Sequence, residues 1–229
     1  MPVPVLFEDA ALLAVDKPAG VPVIPGRVAD GPPALRQRLE AARGHALWVV
    51  HRIDQDTSGV VVFAKTAAAH RALSMAFEHR AVRKRYLAYA FGDLPGARTI
   101  ELPLHEARRG KARPARVDEP GAKAARTEVT ALARWRLGAD VVTRVEARPV
   151  TGRHHQIRVH LRALEAPLVG DPLYGKRTLR GAFAAAPPLR LALHAAQLDL
   201  PDRPTIVAPE PPDLRALAAW LDTHAEVLP

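Results

Sequence analysis

The stretch HRIDQDTSGVVVFAK, residues 51–65, gathers the groups best placed to do chemistry. His51 and Arg52 precede Asp54, Asp56 follows it, and the corner Thr57-Ser58-Gly59 leads into a run of β-formers. A carboxylate at the lip of a buried strand is aimed by a rigid element, so it can serve as a nucleophile or base at a fixed point. An aspartate before Thr-Ser-Gly is equally a turn former whose side chain bonds backbone amides. On these residues alone both readings stand, and Asp56 is read as the structural acid that bonds the turn.

A second crowd lies in TGRHHQIRVHL, residues 151–161, with Arg153, His154, His155, Arg158 and His160. Three histidines raise the question of a metal. His155 and His160 are five apart and share a helix face poorly, and neither an HExxH pattern nor a carboxylate at ligand spacing accompanies them, so no metal is expected. A helix start beside Arg153 suits an anion instead, either a phosphate or the carboxylate of Asp54. Ser58, His51 and Asp54 lack the GxSxG elbow of a serine hydrolase.

These residues need elements to hold them. VLFEDAALLAVDKP (5–18) reads as two short strands ended by Pro18-Ala19-Gly20, and the Gly/Pro-rich stretch 20–33 as loop. Residues 34–44 read as a helix stopped at Gly44, and VVVFAK (60–65) as a buried strand. Thr66 caps a helix over 67–82. KRYLAYAFG (84–92), RTEVTALARW (126–135), ADVVTRVEARPV (139–150) and RLALHAAQLDL (190–200) read as strands. The helix of 151–164 is read from a cap-like Thr-Gly, and PPDLRALAAWLDTHA (211–225) is a helix with Pro in its first turn. Residues 105–125 are Gly/Pro-rich and basic, a solvated hairpin tip or a phosphate-tracking loop. Many strands among few helices predict an α+β fold: one domain over residues 1–229, on a mixed, largely antiparallel β-sheet flanked by helices and loops.

Composition narrows the partners. The 229 residues are 48% apolar, which predicts a folded chain. The net charge is +9, and arginine supplies 27 of the 33 basic residues. Such a surface attracts polyanions, and guanidinium groups fork onto phosphates and stack on bases. No run reaches the length of a membrane span, and the N-terminus lacks the basic-then-apolar pattern of a signal peptide, so a cytoplasmic protein without membrane contact is expected. There is no cysteine, hence no thiolate nucleophile and no thiolate metal site.

Taken together the motifs resemble the RluA family of RNA pseudouridine synthases, whose signature is usually HRLDxxTSGLLLLAK. The likeness continues through VLFEDAALLAVDKPAGVPVIPGR, FEHRAVRKRYLAYAFG, TGRHHQIRVHL, GDPLYG (170–175) and RLALHA (190–195), in the family's order, from about residue 4 to 210. Ile53 for leucine and VVVF for LLLL are mild departures. The resemblance is to short members without an N-terminal S4-type RNA-binding domain.

It implies that Asp54 is the nucleophile in an isomerisation that needs no cofactor. It implies that Arg153 pairs with Asp54, that Tyr86 stacks on the target base and helps remove its proton, and that Arg52 fills the space of a flipped base. Leu193 is assigned to the base pocket, and His51 to RNA contact or support behind the site. The implied partner is a stem-loop of structured rRNA or tRNA, and a monomer is expected. The competing readings are a non-catalytic RNA-binding or RNA-chaperone protein on the same scaffold, and a nucleoside or glycoside hydrolase.

Overall fold

The computed structural model describes residues 3–25, 33–107, 110–175, 185–187 and 190–229. Part of the expected 20–33 loop, and Arg108 and Arg109 of the basic segment, lie outside the described residues. Tertiary contacts divide the chain into two compact units: residues 1–84 with 195–209, and residues 85–194 with 210–229.

The first unit holds strands β1 (Val5–Glu8), β2 (Leu12–Lys17), β3 (Trp48–Val49) and β4 (Ser58–Ala64), with helices α1 (Leu35–Arg43) and α2 (Ala67–Glu78). The second holds β5 (Arg83–Phe91) from Arg85 onward, β6 (Ala97–Glu101), β7 (Leu104–Ala107), β8 (Lys111–Pro114), β9 (Arg126–Leu137), β10 (Asp140–Pro149) and helix α3 (Gln156–Ala163). Strand β11 (Leu193–Asp199) from Ala195 onward and β12 (Ile206–Val207) return to the first unit, and helix α4 (Pro212–His224) and β13 (Glu226–Leu228) complete the second.

In the first unit the strands run β1-β2-β4-β11-β12, and β3 lies beside one end of β4. β1–β2, β2–β4, β3–β4 and β11–β12 are antiparallel. The continuous apolar run of β4 is explained by two cores, one on each face. Val60 and Val62, with Leu12 and Ala14 of β2, point into a cluster closed by Leu73, Ala76 and Phe77 of α2. Val61 and Phe63, with Leu13 and Val15, point the other way, into a cluster with Leu35 and Leu39 of α1. Period-2 side chains on a strand buried on both faces give a run with no polar gaps.

In the second unit β5, β10 and β9 are successive antiparallel neighbours, and β6 and β13 share the far edge of β9. Again the faces alternate. Ala88, Ala90, Val145 and Ala147 pack with Ile157 and Leu161 of α3, whereas Tyr89, Phe91, Trp135 and Val142 pack with Leu214, Leu217 and Leu221 of α4. The basic segment does begin as a hairpin, β7 paired with β8. Arg113 Nη1 donates to Glu119 at 3.0 Å, while Lys111 and Arg116 are exposed. The fold is thus α+β on a largely antiparallel sheet, as expected.

Two boundaries differ from expectation. Helix α2 ends at Glu78, and Arg80 turns out of it at a φ of 59°. Helix α3 starts at Gln156, not at Thr151-Gly152, because His155 sits in the left-handed region at a φ of 54° and closes off the preceding turn.

Gly59 fixes the register at the start of β4. Its φ is +112°, and a Cβ there would fall 2.2 Å from the Ala195 carbonyl oxygen and 2.7 Å from the Ala195 nitrogen. The obstacle is backbone, which cannot swing away. We predict that Gly59→Ala lowers the free energy of unfolding by about 3 kcal/mol or more, from overpacking plus a strained dihedral. Urea denaturation checks this, and a variant as stable as the parent would contradict the packing described.

Candidate active site

Asp54 is half-buried in the loop that joins β3 to β4. Its carbonyl accepts the Thr57 N–H at 3.2 Å, closing the turn. The neighbouring Gln55 ties this loop to another. Its carbonyl accepts the Gly20 N–H at 2.9 Å and a Lys17 Nζ–H at 2.7 Å, and its side-chain amide donates to the Gly20 carbonyl at 3.1 Å. Lys17 is 0% exposed. Its ammonium also donates to the carbonyls of Pro18 (2.9 Å) and Val21 (2.7 Å). Gly20 takes a φ of +80° at the bend between them, a conformation open to glycine.

Other residues of the signature divide between support and exposure. Ile53 packs into the cluster on the α1 side of β4. His51 stacks on Phe77 with ring centroids 4.6 Å apart, and its Nε2 accepts the Val62 N–H at 2.9 Å. The ring nitrogen acts where a strand carbonyl would, so the proton of the neutral ring sits on Nδ1. Arg52 is exposed, and its guanidinium makes no hydrogen bond or ion pair among the described residues. Asp56 was expected to bond the turn. Its carboxylate makes no hydrogen bond among the described residues, and the turn is closed by backbone instead. Thr57 is 1% exposed, with a buried Oγ1 that has no partner among the described residues.

The second unit carries Tyr86, Arg153 and Leu193. Tyr86 lies on β5 opposite Ala147 and packs, half-buried, against the cluster that includes Ala88, Ala147 and Leu193. Leu193 itself is 3% exposed and is a core residue of that cluster. Arg153 is half-buried, and its Nε donates to the Ala124 carbonyl at 3.1 Å.

Behind Arg153 runs a chain of hydrogen bonds. Gln156 Oε1 accepts from the Thr151 hydroxyl (2.6 Å) and the Arg153 N–H (3.0 Å). Gln156 Nε2 donates to the Arg126 carbonyl and the Thr127 hydroxyl, both at 2.9 Å. Thr127 Oγ1 meets His160 Nδ1 at 2.9 Å, and His160 Nε2 donates to the Leu102 carbonyl at 3.0 Å. Burial pushes the His160 pKa down, only partly opposed by its bond to Leu102. The ring is therefore a neutral strut.

His155 Nδ1 meets the Tyr174 hydroxyl at 2.9 Å, and that hydroxyl accepts the Ala112 N–H at 2.8 Å. Arg158 forks onto Asp171, Nε to Oδ2 at 2.9 Å and Nη2 to Oδ1 at 2.8 Å, with both side chains almost wholly buried. Burial alone would raise the Asp171 pKa. The Arg158 bond and charge, with the Tyr174 and Leu173 amides, outweigh it and hold the carboxyl below its usual range. GDPLYG is thus the turn that Arg158 and His155 grip from α3 and its N-terminal residue.

Sequence reasoning named Asp54, Tyr86 and Arg153 but passed over Lys17 and Gln156. The signal for Lys17 was there: a lysine closing a strand that is otherwise buried on both faces, just before Pro-Ala-Gly. Gln156 was harder to see, since two of its four side-chain bonds reach back to Arg126 and Thr127 while the other two tie it to Thr151 and Arg153 close by.

Comparison with known proteins shows the family. The family model described as RNA pseudouridylate synthase matches residues 11–163. The chain is 36% identical over 197 residues to the dual-specificity RNA pseudouridine synthase RluA of Escherichia coli (strain K12), covering 86% of this chain and 85% of that protein. It is 36% identical over 235 residues to ribosomal large subunit pseudouridine synthase D of Nitrosomonas europaea, covering 95% of this chain and 64% of that one. Among solved structures, human RNA pseudouridylate synthase domain containing 1 and domain containing 4 each align with a TM-score of 0.74 at 26% identity. The alignments cover 93% of this chain and 86% of the first, and 96% of this chain and 93% of the second. The chain belongs to the RNA pseudouridylate synthase family, a class of isomerases acting on RNA. Among the described residues no helix is long and apolar enough to cross a membrane.

His51 makes stability sensitive to pH. Burial, helped by the charge of Lys84, pushes its pKa down from 6.5 to about 3. Between those values the unfolded chain binds the proton and the folded chain does not. The contribution of His51 is therefore complete above the ordinary histidine pKa, and it is lost as pH falls toward 3. His51→Gln keeps an oxygen acceptor for the Val62 N–H but does not titrate. We predict a shallower loss of stability between roughly pH 7 and 4 for this variant, read by urea unfolding across pH. An unchanged slope would contradict the assignment.

Proposed function

We propose that the chain isomerises specific uridines of structured ribosomal or transfer RNA to pseudouridine, with Asp54 as the nucleophile. One observation carries the reading. The family match, residues 11–163, includes Lys17, the Asp54 loop, Tyr86 and Arg153, and so takes in parts of both compact units. On that ground the two units are taken as one catalytic domain. The names of the relatives, one dual-specificity and one for the large ribosomal subunit, support the choice of substrates. We take the protein to act as a monomer in the cytoplasm.

The chemistry follows from what changes in the base. The Asp54 carboxylate attacks C1′ of the ribose, and the N1–C1′ pair leaves with the uracil. The uracil turns, C5 attacks C1′, and the carboxylate departs. The proton on C5 is lost and N1 gains one, so atoms balance without an added reactant. One carboxylate suffices, because no water is activated, unlike the two-carboxylate hydrolysis of glycosides.

C1′ is unreachable in a stacked helix, so the nucleotide must be extruded, at a cost of a few kcal/mol. The exposed Arg52 guanidinium is suited to stack in the gap and offset part of that cost. Tyr86 is assigned to the face of the base and to proton removal from C5, and Arg153 to orienting the Asp54 carboxylate. Leu193, in the same cluster that Tyr86 packs on, is assigned to the lining of the base pocket. His51 holds the strand behind the loop through Val62. The exposed Lys111 and Arg116 are assigned to the RNA backbone.

The test is pseudouridine mapping by carbodiimide and primer extension on RNA from cells lacking this gene, complemented with the wild-type chain or with Asp54→Asn. The expected outcome is a site lost in the deletion and regained with wild type alone. A site regained with Asp54→Asn would overturn the nucleophile.

A further inference from the structure

We infer that the Tyr174 hydroxyl is a positioning group for RNA binding, acting through Ala112 to hold Lys111 toward a phosphate. The inference rests on the assignment of the chain to RNA given above, and extends it from the nucleophile to the grip on the substrate. The hairpin of β7 and β8 sorts its charges into two kinds. Glu119 takes both Nη groups of Arg113 and the Arg116 N–H, and so folds the turn that follows β8. Glu106 pairs with Lys123 at 3.4 Å. The side chains of Lys111 and Arg116 are exposed and make no hydrogen bond or ion pair among the described residues. Cations left out of the pairing that shapes a surface are the ones open to a polyanion.

A phosphate grip also needs the strand beneath it to stay still. Lys111 pairs with Ala107 and Ala112 with Glu106. Amides of an antiparallel pair alternate between facing the partner strand and facing away from it. The Ala112 N–H faces away from β7, so the residue next to Lys111 needs an acceptor from outside the hairpin. Ala112 is 4% exposed, and its N–H donates to the Tyr174 hydroxyl at 2.8 Å. A hydroxyl has one proton and two lone pairs, so the same group also meets His155 Nδ1 at 2.9 Å.

Packing alone would accept phenylalanine at this position. The Tyr174 ring clusters with Leu104, Ala112, Ala125 and Val159, and the Arg158 guanidinium lies 5.1 Å from its centroid. Those contacts belong to the ring. What the hydroxyl adds is the joint between the hairpin and the turn before α3. On the far side of that joint His155 is held at a φ of 54°, a region that non-glycine residues enter rarely and at a cost. Arg153 makes a second tie, its Nε donating to the Ala124 carbonyl on the chain returning from the hairpin. The hairpin is thus fixed to the approach to α3 at two points.

The experiment measures the Kd of in vitro transcripts of transfer RNA and of large-subunit ribosomal RNA across salt concentrations. It compares wild type, Lys111→Ala, Tyr174→Phe and the double variant, each first shown to be folded by urea unfolding. Both single variants are expected to bind about fivefold more weakly, with the slope of log Kd against log salt lower by roughly 0.7 to 0.9, one phosphate contact. The double variant is expected to bind no more weakly than either single one. Lost stability alone moves neither the Kd of the folded protein nor its salt slope. A wild-type slope in Tyr174→Phe, a wild-type Kd in Lys111→Ala, or losses that multiply in the double variant overturns the inference. If Tyr174→Phe does not fold, Ala112→Pro, which removes the same N–H from the hairpin's side, is read in its place. Asp54→Asn, assayed for conversion of the same transcripts, separates the two levels. Conversion by that variant removes the nucleophile reading and leaves the Kd comparison standing, whereas an inactive Asp54→Asn beside a Tyr174→Phe that binds as wild type removes the role of Tyr174 alone.

Discussion

Strand β4 is buried on both faces, and the loop that carries Asp54 enters it at Gly59, beneath the backbone of Ala195. That steric constraint governs much of the first unit. Because no side chain fits at Gly59, the start of β4 cannot slide. Because Val60 and Val62 face one core and Val61 and Phe63 another, a slip by one residue would exchange the two sets. The loop before such a strand inherits its rigidity. His51 then bonds the same strand from one side of the loop, and Lys17 and Gly20 grip Gln55 from the other. A nucleophile must meet a carbon within a few tenths of an ångström, and a loop anchored at three points meets that demand better than a free one.

The second unit solves a different problem, which is how to hold arginine and histidine side chains in a core. Arg158 is neutralised by Asp171 with two hydrogen bonds, and Asp171 Oδ1 also accepts the backbone amides of Leu173 and Tyr174. His160 is kept neutral and bonded through both nitrogens, and Gln156 is bonded at every polar atom. Complete satisfaction is what makes buried polar networks rigid rather than costly. The backbone N–H of Arg153 is part of that network, and its Nε donates to the Ala124 carbonyl, so the residue is held at both ends.

Much of this was legible in the residues. Continuous apolar runs announced the central strands, Thr66 announced α2, and the order of the motifs announced the family. Asp54, Tyr86 and Arg153 stand out as candidates because each lies in a motif. What was not legible depends on distant partners. Nothing local to Asp56 says that its turn is closed by backbone. The start of α3 was misplaced because a left-handed histidine, not a Thr-Gly pair, ends the preceding turn. Leu193 shares a cluster with Leu168, a neighbour that comes close only in the folded chain. His155 and His160 each meet a specific protein partner, Tyr174 and Thr127, which the sequence spacing did not disclose.

The central claim is that the Asp54 carboxylate forms and releases the bond to C1′. Joining C5 to C1′ expels the hydrogen at C5, so RNA labelled with tritium at uridine C5 reports the completed reaction as label released to water. The account predicts release by the wild-type protein and none above background by Asp54→Asn, with both variants unfolding at the same urea concentration. Tritium release by Asp54→Asn at a rate near that of wild type would contradict it.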